Sequence, residues 1–203
     1  AGPAGMTAAS CLAESGVRVL VLDENSAPGG QVYRSVEKVT DERSADLSVL
    51  GSHYRNGSKL VERLHSSGAQ YWPGASVWEI SAAEEPTLAV GVLRDGRVRM
   101  IQASHIVLAT GAMERPTPFP GWTLPGVMTV GAAQSLLKSS GLVPDGRIAV
   151  AGSGPLLYLY ASQLIKAGTK PKVILDTRPR ASLRAKLSVL AALTVDPGSM
   201  FQG

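Results

Sequence analysis

Small residues and an acid at the start of the chain have the spacing of a dinucleotide-binding turn. Gly2 and Gly5 would let the backbone approach a pyrophosphate and let the following helix pack closely against a sheet. The free N–H groups at the amino end of that helix favour a bound phosphate. Asp23 lies 18 residues after Gly5, with Glu24 beside it, where an acid can hold the ribose hydroxyls. We therefore predict a dinucleotide site rather than a merely tight structural turn.

The segments around this turn are those that the site requires. Residues 6–15 are rich in alanine and leucine, which predicts a helix, and Gly16 is a suitable residue to end it. Residues 17–22 form an apolar, β-branched run that predicts a buried parallel strand. Because a strand normally delivers the chain into such a turn, we expect a strand before Ala1 and expect the chain to be an internal fragment.

A second unit of the same kind follows about 150 residues later. It has a short strand at 147–151, then Gly152 and Gly154, a helix ending at Gly168, and a strand that ends in Asp176. A repeat at this distance is too long for a solenoid, and it predicts two doubly wound domains, the second inserted into the first.

The second unit departs from the dinucleotide pattern at one position. Leu157 stands where the third small residue is expected, and this should push the helix away from the strand. Asp176 could still bind a ribose, and Arg178 or Arg180 could meet a 2′-phosphate. The sequence leaves NAD(P), another adenine nucleotide and a unit that keeps only the fold as alternatives here.

Short strands fill the region between the two units. An amphipathic pattern predicts a helix at 57–67, and Asp95-Gly96 is a hairpin signal. Strands are predicted at 69–72, 77–80, 87–93, 98–103 and 106–109. Several prolines between residues 116 and 125 predict a linker without helix or central strand. We expect one domain at 1–125, with a β-meander at about 69–103, and an incomplete second domain at 126–203.

The composition excludes several other classes of protein. A single cysteine, Cys11, excludes an internal disulfide and a CxxC pair, and His53, His65 and His105 form no close metal-ligand pair. No apolar run could span a membrane. Residues 147–186 carry a charge of +7, whereas the whole chain carries +4. This basic segment lacks the interleaved aromatic residues that stack bases, so nucleic acid is not expected as a partner. We expect a cytoplasmic setting, with peripheral attachment to the inner membrane through partners as an open alternative.

Several motifs in order resemble those of flavoprotein oxidoreductases with two dinucleotide-binding domains. The chain is most similar to the FAD-binding subunits of opine oxidases and hydrogen cyanide synthase, whose relatives include the sarcosine oxidase alpha subunit. The motifs are GPAGM at 2–6, PGGQVYR at 28–34, ATGAMERP at 109–116, FPGW at 119–122 and LPGV at 124–127. The resemblance implies an α/β fold with two Rossmann-like domains, in the three-layer ββα arrangement of glutathione and thioredoxin reductases, truncated at both ends.

The resemblance also implies roles for individual residues. The FAD pyrophosphate would be surrounded by Gly2, Pro3, Ala4 and Gly5, and the adenosine ribose would be bound by Asp23. The loop beneath the cofactor would contain Gly30 and Gln31. The adenine would be faced by Val77, and the turn that closes over the FAD would contain Thr110 and Gly111. Gly152, Gly154 and Asp176 would belong to the second nucleotide site. No metal site and no catalytic acid or base is assigned.

The function implied is FAD-dependent oxidation of a C–N bond in a small amine-type substrate, an amine, amino acid or opine. Electrons would pass from the flavin to an acceptor or to partner subunits in a hetero-oligomer. The chain alone is expected to be inactive and to hold FAD weakly. Two alternatives remain open, a nucleotide-binding structural subunit with the chemistry on a partner chain, and an NAD(P)H-dependent flavoprotein reductase.

Overall fold

A computed structural model describes residues 1–83 and 87–178, which fall into two compact units. The first unit joins Ala1–Val36 to Asn56–Ala112, and the second joins Glu37–Arg55 to the chain from Met113 onwards. The domain boundary expected at residue 125 stays a prediction. Arg180 and the other basic residues after position 178 lie outside the described residues.

The described residues form six α-helices and seven strands. The helices are α1 (Pro3–Glu14), α2 (Val36–Glu42), α3 (Leu47–Leu50), α4 (Ser52–Ser66), α5 (Val130–Ser140) and α6 (Pro155–Lys166), with a short 3₁₀ turn at Ser44–Asp46. The strands are β1 (Leu20–Asp23), β2 (Gln70–Pro73), β3 (Ser76–Ala82), β4 (Leu88–Arg94), β5 (Arg97–Ala103), β6 (Ala149–Gly152) and β7 (Val173–Asp176). Among the described helices, none is long and apolar enough to cross a membrane.

A parallel strand pair forms the centre of the first unit. β1 pairs with β2 in parallel, from Leu20 opposite Gln70 to Asp23 opposite Pro73. The amphipathic helix α4 is the last helix of the connection between these strands, and its Val61 and Leu64 are buried. Helix α1 begins with proline, whose missing N–H costs nothing at that position, and it buries Met6. The helix and strand predicted after the first turn are confirmed, with the strand beginning three residues later than expected.

An antiparallel meander of β3, β4 and β5 completes this unit. Asp95 and Gly96 both have positive φ, at 53° and 70°, as the tight turn between β4 and β5 requires. Val90 and Val92 on β4 form a buried cluster with Ala75. The meander covers residues 76–103, so its expected start at 69 is wrong. Residues 70–73 instead follow helix α4 and form β2, which pairs with β1 in parallel after this crossover connection.

The second unit contains the repeated β-α-β arrangement. β6 and β7 pair in parallel, from Ala149 opposite Val173 to Gly152 opposite Asp176, with α6 between them. α6 packs against α3 and α5, and a buried hydrogen bond of 2.8 Å joins Gln134 of α5 to Gln163 of α6. The strand–helix–strand order predicted for this region is confirmed.

Both ends of α5 are held by side chains. Thr129 caps the amino end through Ala132 N–H, and the Glu114 carboxylate accepts the Gly131 N–H at 2.6 Å. A Cβ on Gly131 would lie 2.3 Å from the Glu114 Oε2 atom, so a side chain there would displace the Glu114 carboxylate from the Gly131 N–H. At the carboxyl end, the Arg43 guanidinium donates to the carbonyls of Leu137 and Lys138 at 3.1 and 3.2 Å. Such capping supplies partners that a helix end lacks.

Two features differ from the sequence-based expectations. The strand expected at 106–109 is absent, and Val107 and Leu108 are 62% and 72% exposed. These residues pair with no other described strand, and an apolar run becomes a strand only with a neighbour to bond. Helices α2, α3 and α5 were not predicted, because their apolar periodicity is short and glycine or polar residues interrupt it. The proline-rich segment has neither helix nor strand, as expected.

We predict that Leu64→Ala destabilises the first unit, because Leu64 is fully buried on α4. The free energy of unfolding should fall by about 2–5 kcal/mol through lost apolar burial and the cavity that remains. Leu142→Ala is the matched control, since Leu142 is 57% exposed. Urea midpoints at unchanged m-values measure both effects. An equal loss in the two variants would contradict the placement of Leu64 in the core.

Candidate functional site

The backbone N–H groups at the amino end of α1 have no side-chain cap. Gly2 is extended at the helix start, with φ −77° and ψ −179°, and its carbonyl accepts the first helical hydrogen bond from Met6 N–H at 2.9 Å. Gly2 has no side chain to cap the remaining N–H groups, and the first turn contains no acidic residue. The helix end therefore offers free donors and a partial positive charge to an anion.

A glycine loop lies directly against this turn. The Gly29 N–H donates to the Ala1 carbonyl at 2.9 Å. Gly30 has φ +58°, and a Cβ built on it would lie 2.7 Å from the Gly2 Cα atom. A Cβ on Gly29 would come within 2.1 Å of the Tyr33 carbonyl oxygen. Two backbone segments can approach this closely only when neither carries a side chain.

The acid at the end of β1 is buried and held in place. Asp23 is 6% exposed, and its Oδ1 atom accepts from the backbone N–H and the side-chain amide of Asn25, each at 2.9 Å. The backbone nitrogen of Ala1 lies 2.8 Å from its Oδ2 atom. Burial by itself raises the pKa of Asp23, and hydrogen bonds to its carboxylate, two of them from Asn25, hold the pKa below its ordinary value. Glu24, the alternative acid, is exposed.

The remaining predicted residues of the first site lie on loops near this turn or face solvent. A Cβ on Gly5 would be 3.3 Å from the Ala109 Cβ atom, so the segment leading to Thr110 and Gly111 passes beside α1. Thr110, Gly111 and Gln31 are exposed, as is Ala4, whereas Pro3 is half-buried. Val77 is 42% exposed on β3 and lies opposite Val92.

The start of β3 is tied to the acid through backbone hydrogen bonds. Ala75 N–H donates to the Asp23 carbonyl at 2.8 Å, and Gly74 N–H donates to the Asn25 carbonyl at 3.0 Å. These bonds place the chain leading to Val77 beside Asp23. The structure thus brings Gly2, Gly30 and Asp23 together.

Two supporting residues were missed from the sequence. Asn25 fixes the Asp23 carboxylate, and the Asp-x-Asn spacing of an Asx turn was the signal that could have found it. Tyr33 packs on Gly57, where a Cβ would lie 2.5 Å from the ring. No local pattern reveals that contact, because it joins the glycine loop to a helix more than 20 residues away.

The second glycine turn has the same outline and a different chemistry. Gly152 and Gly154 have φ values of +154° and +95°, and α6 begins directly after them. Leu157 is 2% exposed. Asp176 ends β7, and hydrogen bonds from Arg178 and then Tyr158 strongly lower its pKa. Tyr158 O–H and Asp176 Oδ2 form a very short hydrogen bond.

We predict that Asp23→Asn destabilises the protein at neutral pH and that this loss shrinks in acid. Because the pKa of Asp23 is lowered in the folded chain, its stabilising contribution is complete above the ordinary carboxyl pKa and disappears as the pH falls through the lowered value. Urea midpoints of parent and variant at about pH 7 and about pH 3 test this. Glu24→Gln, at the exposed neighbour, is the control. A gap that stays constant down to the lower pH would contradict the prediction.

Comparison with curated proteins finds components of oxidising enzymes. One opine oxidase subunit of Rhizobium meliloti is 50% identical over 94% of this chain and 36% of its own length. Hydrogen cyanide synthase subunit HcnB of Pseudomonas aeruginosa is 40% identical over 83% of this chain and 35% of its length. The sarcosine oxidase alpha subunit of Rhizobium meliloti is 32% identical over 90% of this chain and 19% of its length. The chain spans about a third of the length of the first two relatives.

Comparison with solved structures agrees on the fold. The L-proline dehydrogenase from P. horikoshii superposes with a TM-score of 0.69 at 23% identity, over 89% of this chain and 35% of that chain. The fold is therefore α/β, of the FAD- and NAD-binding oxidoreductase type. FAD is the cofactor to which the family and its flavoprotein members point. Residues 1–193 match the pyridine nucleotide-disulphide oxidoreductase family. The chain belongs to that family of oxidoreductases.

Proposed function

We propose that the protein carrying this chain is an FAD-dependent dehydrogenase or oxidase subunit that oxidises the C–N bond of a small amine, an amino acid or an opine. The proposal rests on the close backbone contact between Gly2 and Gly30, where neither residue has a side chain, beside the buried Asp23. The 50% identity to an opine oxidase subunit supports the substrate class.

The first turn fits the adenosine diphosphate part of FAD. The free N–H groups at the start of α1 would bind the pyrophosphate, with Gly2, Pro3, Ala4 and Gly5 leaving the backbone accessible. The buried Asp23 carboxylate would accept hydrogen bonds from the ribose, and Asn25 keeps it oriented for that role. Gly30 and Gln31 would carry the chain beneath the cofactor, with Val77, Thr110 and Gly111 at its edges.

The chemistry itself would be supplied by the cofactor. When bound, FAD would supply a two-electron acceptor for the hydride on the carbon next to nitrogen, and the nitrogen would release a proton as the amine becomes an imine. The residues described here bind and orient the cofactor, and we assign no catalytic acid or base among them. This division of labour is typical of flavoproteins, in which the protein supplies position and electrostatics.

Electrons would then leave through a partner. The relatives are named as subunits, which supports a hetero-oligomer. Members of this family that reduce disulfides require a cysteine pair, and the stretch after Gly30, a usual place for one, has QVYR at 31–34. We therefore propose that the amine substrate is the electron donor and that the acceptor is a dye, a quinone or a partner subunit.

Anaerobic bleaching of the flavin tests the substrate class. We expect the intact, FAD-loaded protein to lose its flavin absorbance on addition of one of glycine, sarcosine, proline or an opine, and to reduce an artificial dye with the same compound. The absorbance is recorded without oxygen, so that reduced flavin accumulates. Bleaching by NADPH with disulfide reduction, and none by any amine, would overturn the proposal. A flavin that no donor reduces would instead favour a structural nucleotide-binding subunit.

Cofactor retention tests the glycine contact. Gly30→Ala should release FAD, because its Cβ would lie 2.7 Å from the Gly2 Cα atom and force the two backbones apart. Gly96→Ala is the matched control, since Gly96 also has positive φ, at +70°, but nothing lies within 4 Å of the added Cβ. We expect the dissociation constant to rise at least about tenfold in Gly30→Ala, equivalent to about 1.4 kcal/mol, with little change in the control. Flavin fluorescence after gel filtration measures how much FAD each variant retains. Equal retention in the two variants would contradict the proposed role of the contact between Gly2 and Gly30.

A further inference from the structure

The two glycine turns share a backbone arrangement but differ in the side chains around Asp23 and Asp176. Asp23 and Asp176 each end a parallel strand that follows a glycine-turn helix. Each carboxylate also accepts the backbone N–H two residues later, from Asn25 at 2.9 Å and from Arg178 at 3.0 Å. The first position therefore carries a neutral amide, and the equivalent second position carries a guanidinium.

The Arg178 guanidinium is paired with the Asp176 carboxylate of the second turn. Arg178 Nε lies 3.0 Å from both carboxylate oxygens of Asp176, and its Nη2 atom lies 2.6 Å from Oδ2. Tyr158 O–H donates to the same Oδ2 atom and accepts from Arg178 Nη2 at 3.2 Å. The ribose of a dinucleotide needs free carboxylate oxygens to receive its two hydroxyls. At Asp176 the Arg178 guanidinium neutralises the charge that would attract those hydroxyls, whereas the neutral Asn25 amide leaves the charge of Asp23 in place.

The same pairing also works against a 2′-phosphate. An arginine at this position favours NADP when it faces the phosphate alone. Arg178 instead lies against Asp176, and that carboxylate would repel the phosphate at short range. The pair thus lacks both the free acid that NADH requires and the free guanidinium that NADPH requires.

The helix position adds a second, independent obstacle. In the first turn Gly5 allows α1 to lie close to the neighbouring chain, with a virtual Cβ only 3.3 Å from Ala109. The equivalent residue in the second turn is Leu157, whose side chain is buried to 2% exposure. A leucine cannot reproduce the close packing that draws a helix end towards a pyrophosphate.

We propose that the cluster of Tyr158, Asp176 and Arg178 closes the second glycine turn to nicotinamide dinucleotides. The family name implies a pyridine nucleotide, and the described residues of this turn do not fit one. The second unit keeps the β-α-β fold and has lost that ligand. This inference goes beyond the amine oxidation proposed above, and it stands or falls on nucleotide binding alone.

Calorimetric titration of the intact, FAD-loaded protein with NADH and NADPH tests the closure. The parent should show no saturable binding up to about 1 mM of either nucleotide. Arg178→Gln frees Asp176 and should show saturable NADH binding with a dissociation constant at least about fivefold below that limit of about 1 mM, because a released carboxylate regains charged hydrogen bonds to the ribose. Lys170→Gln is the matched control, since it removes one positive charge at an exposed residue before the amino end of β7.

A double variant shows whether the gain passes through the acid. Arg178→Gln combined with Asp176→Asn should lose the gain in NADH binding. Saturable binding of NADH or NADPH by the parent below about 1 mM would overturn the proposal. So would an Arg178→Gln variant that binds NADH no better than Lys170→Gln. Amine-driven bleaching of the same preparations reports separately on the proposed function.

Discussion

The first unit depends on a close approach of two backbones that carry no side chains. Gly30 lies so near Gly2 that one added methyl group would meet the Gly2 Cα atom at 2.7 Å. The same loop bonds to the Ala1 carbonyl through Gly29, and the Ala1 nitrogen lies 2.8 Å from the Asp23 carboxylate. The turn, the loop and the acid are therefore positioned as one piece, and a shift in any of them moves the others. Short-range repulsion sets this arrangement more firmly than any single hydrogen bond does.

The sequence predicts the repeated units well because their signals are local. Glycines, an apolar helix and a β-branched run ending in an acid occur within about 25 residues, which suffices to predict α1 with β1 and β6 to β7. The strand expected at 106–109 fails because pairing depends on a neighbour that local sequence does not specify. β2 illustrates the same limit, since its apolar residues fit a meander as well as the parallel pair with β1. Positions in the first site could be named, whereas the contact of Tyr33 with Gly57 could not.

Within one chain, equivalent acids have acquired opposite surroundings. Asp23 is buried and bonded by an amide, whereas Asp176 is exposed and paired with a guanidinium. Leu157 hinted at a weakened second turn from the sequence alone. The engagement of Asp176 by Tyr158 was beyond sequence reasoning, because the two residues are 18 positions apart and meet only after the β-α-β unit folds. A shared backbone outline is thus a poor guide to ligand chemistry when a guanidinium neutralises one of the two carboxylates.

The hydrogen bond between Glu114 and Gly131 closes a loop of the chain around the proline-rich segment. Once the two ends of a loop are joined, its entropy depends only weakly on length, and doubling the loop costs only about 0.6 kcal/mol. Evolution can therefore lengthen, shorten or decorate the residues between these anchors with little thermodynamic penalty. The two anchors are more constrained, since a side chain on Gly131 would displace the Glu114 carboxylate and break the bond that closes the loop. Variation among relatives should thus concentrate inside this closed loop and leave its two ends unchanged.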